Sequence, residues 1–448
     1  MPLQVGDSLT LVLDAAESPS VWASFYSHLS NVGYFRPLFY AQVKAVFDLA
    51  QGDYHFAYRL YHAAWLMAFV LLFVRALDVR SRAALVLVPL ALTVFFGVHT
   101  FLATVKEIYP ISHFLQIAVL SLAALNLAQS KGGRLVELAT LATFAAAALI
   151  LESGLLVWVV VAAAWLARAP GISSRAVAAA TVLLGAYFVA RFGYFGSGAP
   201  SLDERSAGYL LGALDPAELQ ARFGDNPAPF YAYNVLSSIS SVLFSQPRSG
   251  VFVLVRQFRG QGVLASSWIN LAASLFATGL IAAYVVHRLR SGVRWPRTVA
   301  DRHVFIFGAV LAANGVIGYA YAKDEIVSVA GAFYAVAVFS SALWLVQRLG
   351  AQPPSWRTTA LVTVLLCTGA AVWAIRAAGV PHALHSQAFV QRNDWVRVEG
   401  SMRENGDWER YQQSIPLVRS LRDQAISTPV VNPRFIPRWK DRVFDTSY

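Results

Sequence analysis

LVELATLATFAAAALILESGLLVWVVVAAAWL, residues 135–166, is one apolar run broken only by Glu152-Ser153-Gly154. A single membrane crossing takes about 20 residues, so the run is too long for one helix and too greasy for a loop. It reads as a hairpin of two short helices, 135–151 and 154–166, turning at Glu152. Eight further apolar stretches flank it, at 56–77, 83–98, 110–128, 176–192, 267–286, 304–321, 325–346 and 358–378. The charges between them alternate. The connections 75–82, 131–137, 168–175, 287–303 and 347–357 hold fourteen Lys and Arg, whereas those around Lys106, Glu152 and Lys323 hold two. This is the positive-inside bias of a polytopic membrane protein, and the turn at Glu152 keeps it intact.

Composition agrees. Of 448 residues 57% are hydrophobic and 14% charged, outside the range of soluble globular domains. The net charge of +11 sits at helix ends, where headgroup-facing cations account for it, and nucleic acid is not implied. The single cysteine, Cys367, lies inside an apolar stretch and supports neither a disulfide framework nor a thiolate metal site. Residues 1–20 lack the basic start and apolar run of a cleavable signal peptide. Alternation nevertheless places residues 1–56 outside. Two readings stay open: a first helix upstream is lacking, or the segment crosses unaided.

The expected organisation is an all-α polytopic membrane protein with about ten transmembrane helices. Residues 1–55 form a first outer loop with amphipathic surface helices, 56–192 a first helix group, 193–266 a large outer loop, 267–378 a second helix group and 379–448 an outer tail. In the first loop Ser18-Pro19 resembles a helix start, followed by an apolar stripe at Trp22, Phe25, Tyr26 and Leu29. A second surface helix is expected from Pro37. The 193–266 loop carries an aromatic cluster at Phe230, Tyr231 and Tyr233 and a small helix near 216–223.

Ionisable residues at membrane depth are costly, and those that remain usually face a cavity or a partner. The candidates are His62, His99 with Lys106-Glu107 and His113, Glu152, and Lys323-Asp324-Glu325. For each, ordinary solvation by headgroups competes with a functional role. Their joint clustering at outer helix ends describes a polar cavity open to the outside, not a conduit through the bilayer, where charges gather near the midplane. No G-x-S-x-G, H-E-x-x-H or P-loop occurs, and His382-x-x-His385 reads as surface.

The order of these features resembles the GT-C class of membrane glycosyltransferases, and within it bacterial relatives of protein O-mannosyltransferases. Tyr34-Phe35-Arg36-Pro37-Leu38 is similar to the Y-x-R-P-L segment that opens the second surface helix. Gly52-Asp53-Tyr54-His55-Phe56, followed by His62, resembles the stretch leading to a helix with an early His. Phe96-Gly97-Val98-His99 resembles an "HP" turn, with Thr100 in place of Pro, and Leu151-Glu152-Ser153-Gly154 resembles a K-E-[ST]-[GA] break, with Leu151 in place of Lys. The resemblance covers about residues 10–170; beyond it, only topology and the Lys323-Asp324-Glu325 turn correspond.

The resemblance implies a polyprenyl-phosphate-linked sugar as donor, a glycan, lipid or protein acceptor, and a carboxylate in the first outer loop as general base near a divalent metal, Mg or Mn. It implies a bacterial inner (plasma) membrane enzyme whose active site faces outside. Asp14 matches the base in position, and Glu17 follows at i+3, where the family often has adjacent acids. Arg36, Lys106 and Lys323 are the cations available to the carrier phosphate, with His99, Glu107, Glu152 and Asp324 as further binding residues. Two alternatives remain. One is a polysaccharide polymerase or O-antigen ligase working through loop arginines, here Arg191, Arg205, Arg222, Arg248, Arg256 and Arg259. The other is a non-catalytic flippase or assembly subunit.

Overall fold

The structure is a computed structural model that describes residues 1–29, 35–106, 110–196, 207–208, 212–213, 216–224, 226, 228–246, 258–260, 265–292, 296–320, 322–350, 355–427, 429–430, 432, 440 and 443–444. Each of the ten apolar stretches is helical: α4 (Tyr54–Ala76), α5 (Arg82–Gly97), α7 (His113–Gln129), α8 (Arg134–Ile150), α9 (Leu155–Leu166), α10 (Ser174–Phe188), α13 (Ala265–Arg290), α14 (Val299–Ile317), α15 (Ser328–Gly350) and α16 (Trp356–Val396). Among the described residues six helices are long and apolar enough to cross a membrane. A seventh results if α5 and the short α6 (His99–Lys106), bent by 56° at Val98, form one span. Strand structure among the described residues is a two-residue pairing of Ala207–Gly208 with Gly212–Ala213. This is an all-α membrane protein.

The apolar surface shows why water is the wrong solvent for it. On α4, Phe56, Leu60, Met67 and Leu71 are exposed, while Tyr58, Phe69 and Phe73 on the opposite side are buried. A helix that is apolar all round can leave one face bare only where that face meets lipid. The long α16 likewise exposes Leu361, Val364 and Leu365. At the other extreme α15 is the central helix, packed against α5, α13 and α14, with Phe333, Tyr334 and Phe339 fully buried.

The run that decides the fold turns where the sequence breaks. Leu151 is extended and its N–H closes α8 on the Ala147 carbonyl at 3.2 Å. Glu152–Gly154 then forms a single 3-10 turn that launches α9. Gly154 packs so closely on the end of α8 that a Cβ there would overlap the Ala147 carbonyl. The small residue at the break is therefore a steric requirement of the hairpin.

The connections sort to two ends. At one, the Gly171 N–H donates to the Ala128 carbonyl at 2.9 Å, and the Gln129 amide donates to the Ala76 carbonyl at 3.2 Å. The basic connections after α4, α7 and α9 thus meet one another. At the other end lie the Glu152 turn and three amphipathic helices, α1 (Asp7–Glu17), α2 (Val21–Ser27) and α3 (Pro37–Ala50).

Two local readings change. The helix expected from Ser18-Pro19 starts at Val21, because Ser20, extended, caps it by accepting the Ala23 N–H at 3.1 Å. Its aromatic stripe faces outward, with Trp22 and Tyr26 largely exposed. The last apolar stretch does not stop at residue 378: α16 continues through Pro381 to Val396. The chain after it returns as α17 (Val398–Glu404), α18 (Asp407–Arg410) and α19 (Ile415–Ser427) onto the amino-terminal helices. There His55 accepts the Leu3 N–H at Nδ1 and donates from Nε2 to the Leu421 carbonyl, while the Trp395 indole donates to the Leu3 carbonyl at 2.6 Å. The start of α3 at Pro37, with Pro at its first position, stands where it was expected.

Candidate functional site

Glu152 projects from the hairpin turn between two arginines that are remote in sequence. Its Oε2 accepts from Arg36 Nε at 3.0 Å and Arg36 Nη2 at 2.8 Å, a fork engaging one carboxylate oxygen. Its Oε1 lies 3.5 Å from Arg191 Nη2. Arg191 is only 4% exposed and comes from a π-helical turn, Val189–Tyr194, that ends α10. Its Nη1 donates to the Tyr187 hydroxyl at 2.8 Å, and its guanidinium lies over the Phe192 ring. A π turn advances the side chain beyond its α-helical register, a feature common at functional sites. Phe35 packs edge-on against Tyr187 and fixes the entry to α3. Two guanidiniums thus converge on one carboxylate.

One turn along α3 from Arg36, about 6 Å of helix rise, Tyr40 forms part of the wall of a cavity of about 300 Å3. Asp14 and Glu17 of α1 both line it, sharing one face as their i,i+3 spacing dictates. His28 and Ser24 complete the polar side. The Asp14 side chain is 38% exposed. Its Oδ1 accepts the Tyr411 hydroxyl at 2.8 Å and lies 3.7 Å from Arg410 Nη2, both from the carboxyl-terminal segment. Burial, and then the Asp14 carboxylate, push the Tyr411 phenol well above its ordinary value. His28 stacks on Tyr40 with ring centroids 3.5 Å apart, and its Nδ1 donates to the Ser24 carbonyl at 2.8 Å. Burial pushes its pKa below 6.5, against the pull of the Ser24 carbonyl and Asp14. Among the described residues, Arg36 and Lys323 are not part of this lining.

A second charged group gathers around His99, which is fully buried. Its Nε2 is 3.6 Å from Asp324 Oδ1 in the turn before α15. Its backbone N–H donates to Ser245 Oγ at 3.2 Å. Ser245 follows α12 (Ala228–Leu243) with φ of +44°, a left-handed conformation unfavourable for a residue with a Cβ. The conformation offers its hydroxyl and carbonyl to Arg376, whose Nη2 donates to Oγ at 3.0 Å and to the carbonyl oxygen at 2.5 Å. Arg376 also covers the Trp373 ring, 4.6 Å from its centroid. Lys106 is half-buried at the far end of α6 from His99, and half-buried Lys323 adjoins Asp324. Glu107 lies outside the described residues.

Arg36 with Glu152, and His99 with Asp324, are therefore brought together as two separate groups, and Asp14 with Glu17 as a third. Sequence reasoning missed Arg376, Tyr187, His28 and Tyr411. For Arg376 a signal existed: an arginine just before the end of an apolar run, too costly to leave facing lipid.

Among the described residues no group of three or more His, Cys, Asp or Glu side chains is arranged to hold a metal ion. The surroundings of Asp14, a phenol that donates and a guanidinium, do not fit the oxygen donor set of Mg or Mn. No family model, curated protein or solved structure matches this chain.

Proposed function

We propose that the chain is a GT-C-type membrane glycosyltransferase with ten crossings, seated in a bacterial plasma membrane with the Glu152 end outside. It moves a sugar from a polyprenyl-phosphate carrier to an acceptor hydroxyl. One observation carries this reading: the Arg36–Glu152–Arg191 cluster, with two guanidiniums converging at the end of the bundle, lies one turn of α3 from a cavity lined by accessible carboxylates.

The chemistry follows from charge. As the bond between the sugar C1 and the carrier phosphate breaks, negative charge grows on the phosphate oxygens, and the leaving group is polyprenyl phosphate. Arg36 and Arg191, pre-aimed by Glu152 and Tyr187, stabilise that charge in a low-dielectric setting. The acceptor oxygen forms the new bond to C1, and its proton passes to Asp14. Tyr411 holds the Asp14 carboxyl through one oxygen, so the other is the one assigned to the acceptor proton. A positioned base of this kind is worth about 10²–10⁴ in rate. The charge alternation of the connections supports the orientation.

The test is transfer by the purified chain in proteoliposomes supplied with labelled polyprenyl-phosphate sugars and hydroxyl acceptors. The parent is expected to transfer or slowly hydrolyse one donor, and Asp14→Asn to lose about 10²–10⁴ of that rate while inserting normally. A parent inert toward every polyprenyl-phosphate sugar overturns the proposal, and unchanged turnover in Asp14→Asn overturns the assigned base.

A further inference from the structure

The end of the bundle opposite Glu152 holds a cavity of about 200 Å3 that the proposed transfer does not use. Two connections and two helix ends enclose it. Asp78 and Arg80 follow α4, Gln129 ends α7, Pro170 lies between α9 and α10, and Arg302 and His303 stand in the first turns of α14. Its floor is apolar, made by Leu125, Ala128 and Ile306.

Most of its polar groups are already satisfied. Asp78 accepts Arg80 Nε at 2.7 Å, so that pair neutralises itself. Gln129, oriented by its bond to the Ala76 carbonyl, donates to His303 Nε2, and His303 Nδ1 donates to Ser340 Oγ at 2.7 Å. Both ring nitrogens are thus engaged. Asp301, next to Arg302, is spent on Arg288, whose Nη2 is 2.7 Å from its Oδ2, and on the Tyr284 hydroxyl. What remains is Arg302, half-buried in the cavity wall with no side-chain hydrogen bond or ion pair among the described residues. A partly desolvated guanidinium that no carboxylate bonds directly is costly, and an anion filling the cavity lowers the cost.

We propose that this cavity binds a phosphate group, carried by an anionic phospholipid of the adjoining leaflet. A planar guanidinium matches phosphate geometry. The apolar floor suits the glycerol and acyl portion of a lipid rather than a free ion. The converging basic connections put the site in the leaflet where anionic headgroups and polybasic ends attract each other. The site is independent of the glycosyl-transfer reading, lying at the other end of the molecule.

The experiment uses the full chain in nanodiscs of phosphatidylcholine with increasing phosphatidylglycerol, reading thermal unfolding and the lipid retained on mild delipidation. The parent is expected to unfold at higher temperature as phosphatidylglycerol rises, and to retain it. Arg302→Gln should lose that rise and bind phosphatidylglycerol about tenfold or more weakly, the scale of one charge-assisted bond. In pure phosphatidylcholine, whose zwitterionic headgroup brings no net counter-charge, Arg302→Gln should unfold no lower than the parent. Arg302→Lys, which keeps charge without the fork, should fall between them. Arg357→Gln, an exposed basic residue on another connection, should behave as the parent. Equal retention in the parent and Arg302→Gln overturns the site. So does equal loss in Arg302→Gln and Arg357→Gln, which would mean diffuse attraction only. Displacement of the lipid by millimolar inorganic phosphate would overturn the lipid as its source.

Discussion

Removing the charge of Glu152 while keeping its shape, in Glu152→Gln, takes away the carboxylate on which Arg36 and Arg191 converge. Their side chains are 16% and 4% exposed, and the Glu152 side chain is 21% exposed, so neither cation can turn fully to solvent. Breaking a buried pair by removing one partner costs about 3–5 kcal/mol. Some solvent reaches Glu152, which lowers the expected loss to about 2–4 kcal/mol. The second arginine at 3.5 Å keeps it from falling to the value of a surface pair. Arg36→Gln in the same background should recover part of the loss, because it removes one of the two like charges that converge there. The assay is equilibrium unfolding of parent, single and double variants in mixed micelles at low and high salt. The coupling between the two positions should be about 1–3 kcal/mol and nearly independent of salt, since the pair is shielded from counter-ions. A Glu152→Gln variant within about 0.5 kcal/mol of the parent, or a coupling that vanishes at high salt, would refute a buried, structurally committed cluster.

Three further outcomes are expected. Gly154→Ala should prevent the tight hairpin between α8 and α9, seen as loss of folded protein, because its Cβ meets backbone rather than a movable side chain. Gly185→Ala, with open space around it, should be tolerated and serves as the control. His28 has a folded-state pKa below 6.5, so the unfolded chain takes up the proton first. Stability should therefore hold above about pH 6.5 and fall as pH drops toward the folded value. His28→Gln should flatten that decline in a thermal scan from neutral to acidic pH, and an identical decline in both proteins would exclude His28 as its source. In intact cells, with Cys367→Ser as background, an impermeant thiol reagent should label Ser386→Cys and not Ser291→Cys; the reverse pattern would invert the proposed topology.

Much of the helical layout could be read in the chain because lipid imposes it locally. A bilayer requires each spanning segment to satisfy its own backbone, so the apolar stretches could only be helices, and the break at Glu152-Ser153-Gly154 could only be a turn. Pro37 starts a helix for an equally local reason, its fixed φ. The partners of the charges were not legible. Arg36 meets Glu152 across 116 residues, and Asp14 meets Tyr411 across 397, so no short-range pattern records either. Arg191 looked like one loop arginine among six and is instead buried by a π turn that hydropathy does not reveal. Thr358 to Ala378 read as a complete span because polarity rises after it, yet Pro381 does not end α16, and the helix carries the carboxyl-terminal segment back to Asp14.

In the proposed reaction the Glu152 end receives a lipid-linked phosphate. The most direct measurement is the affinity of the detergent-solubilised parent for a polyprenyl-phosphate sugar, compared with Arg36→Gln and Arg191→Gln and with a polyprenol lacking the phosphate. The parent should discriminate strongly for the phosphate, and each variant should lose about tenfold or more in affinity, the worth of a charge-assisted contact. Equal binding of the phosphorylated and phosphate-free lipids, or unchanged affinity in both variants, would contradict it.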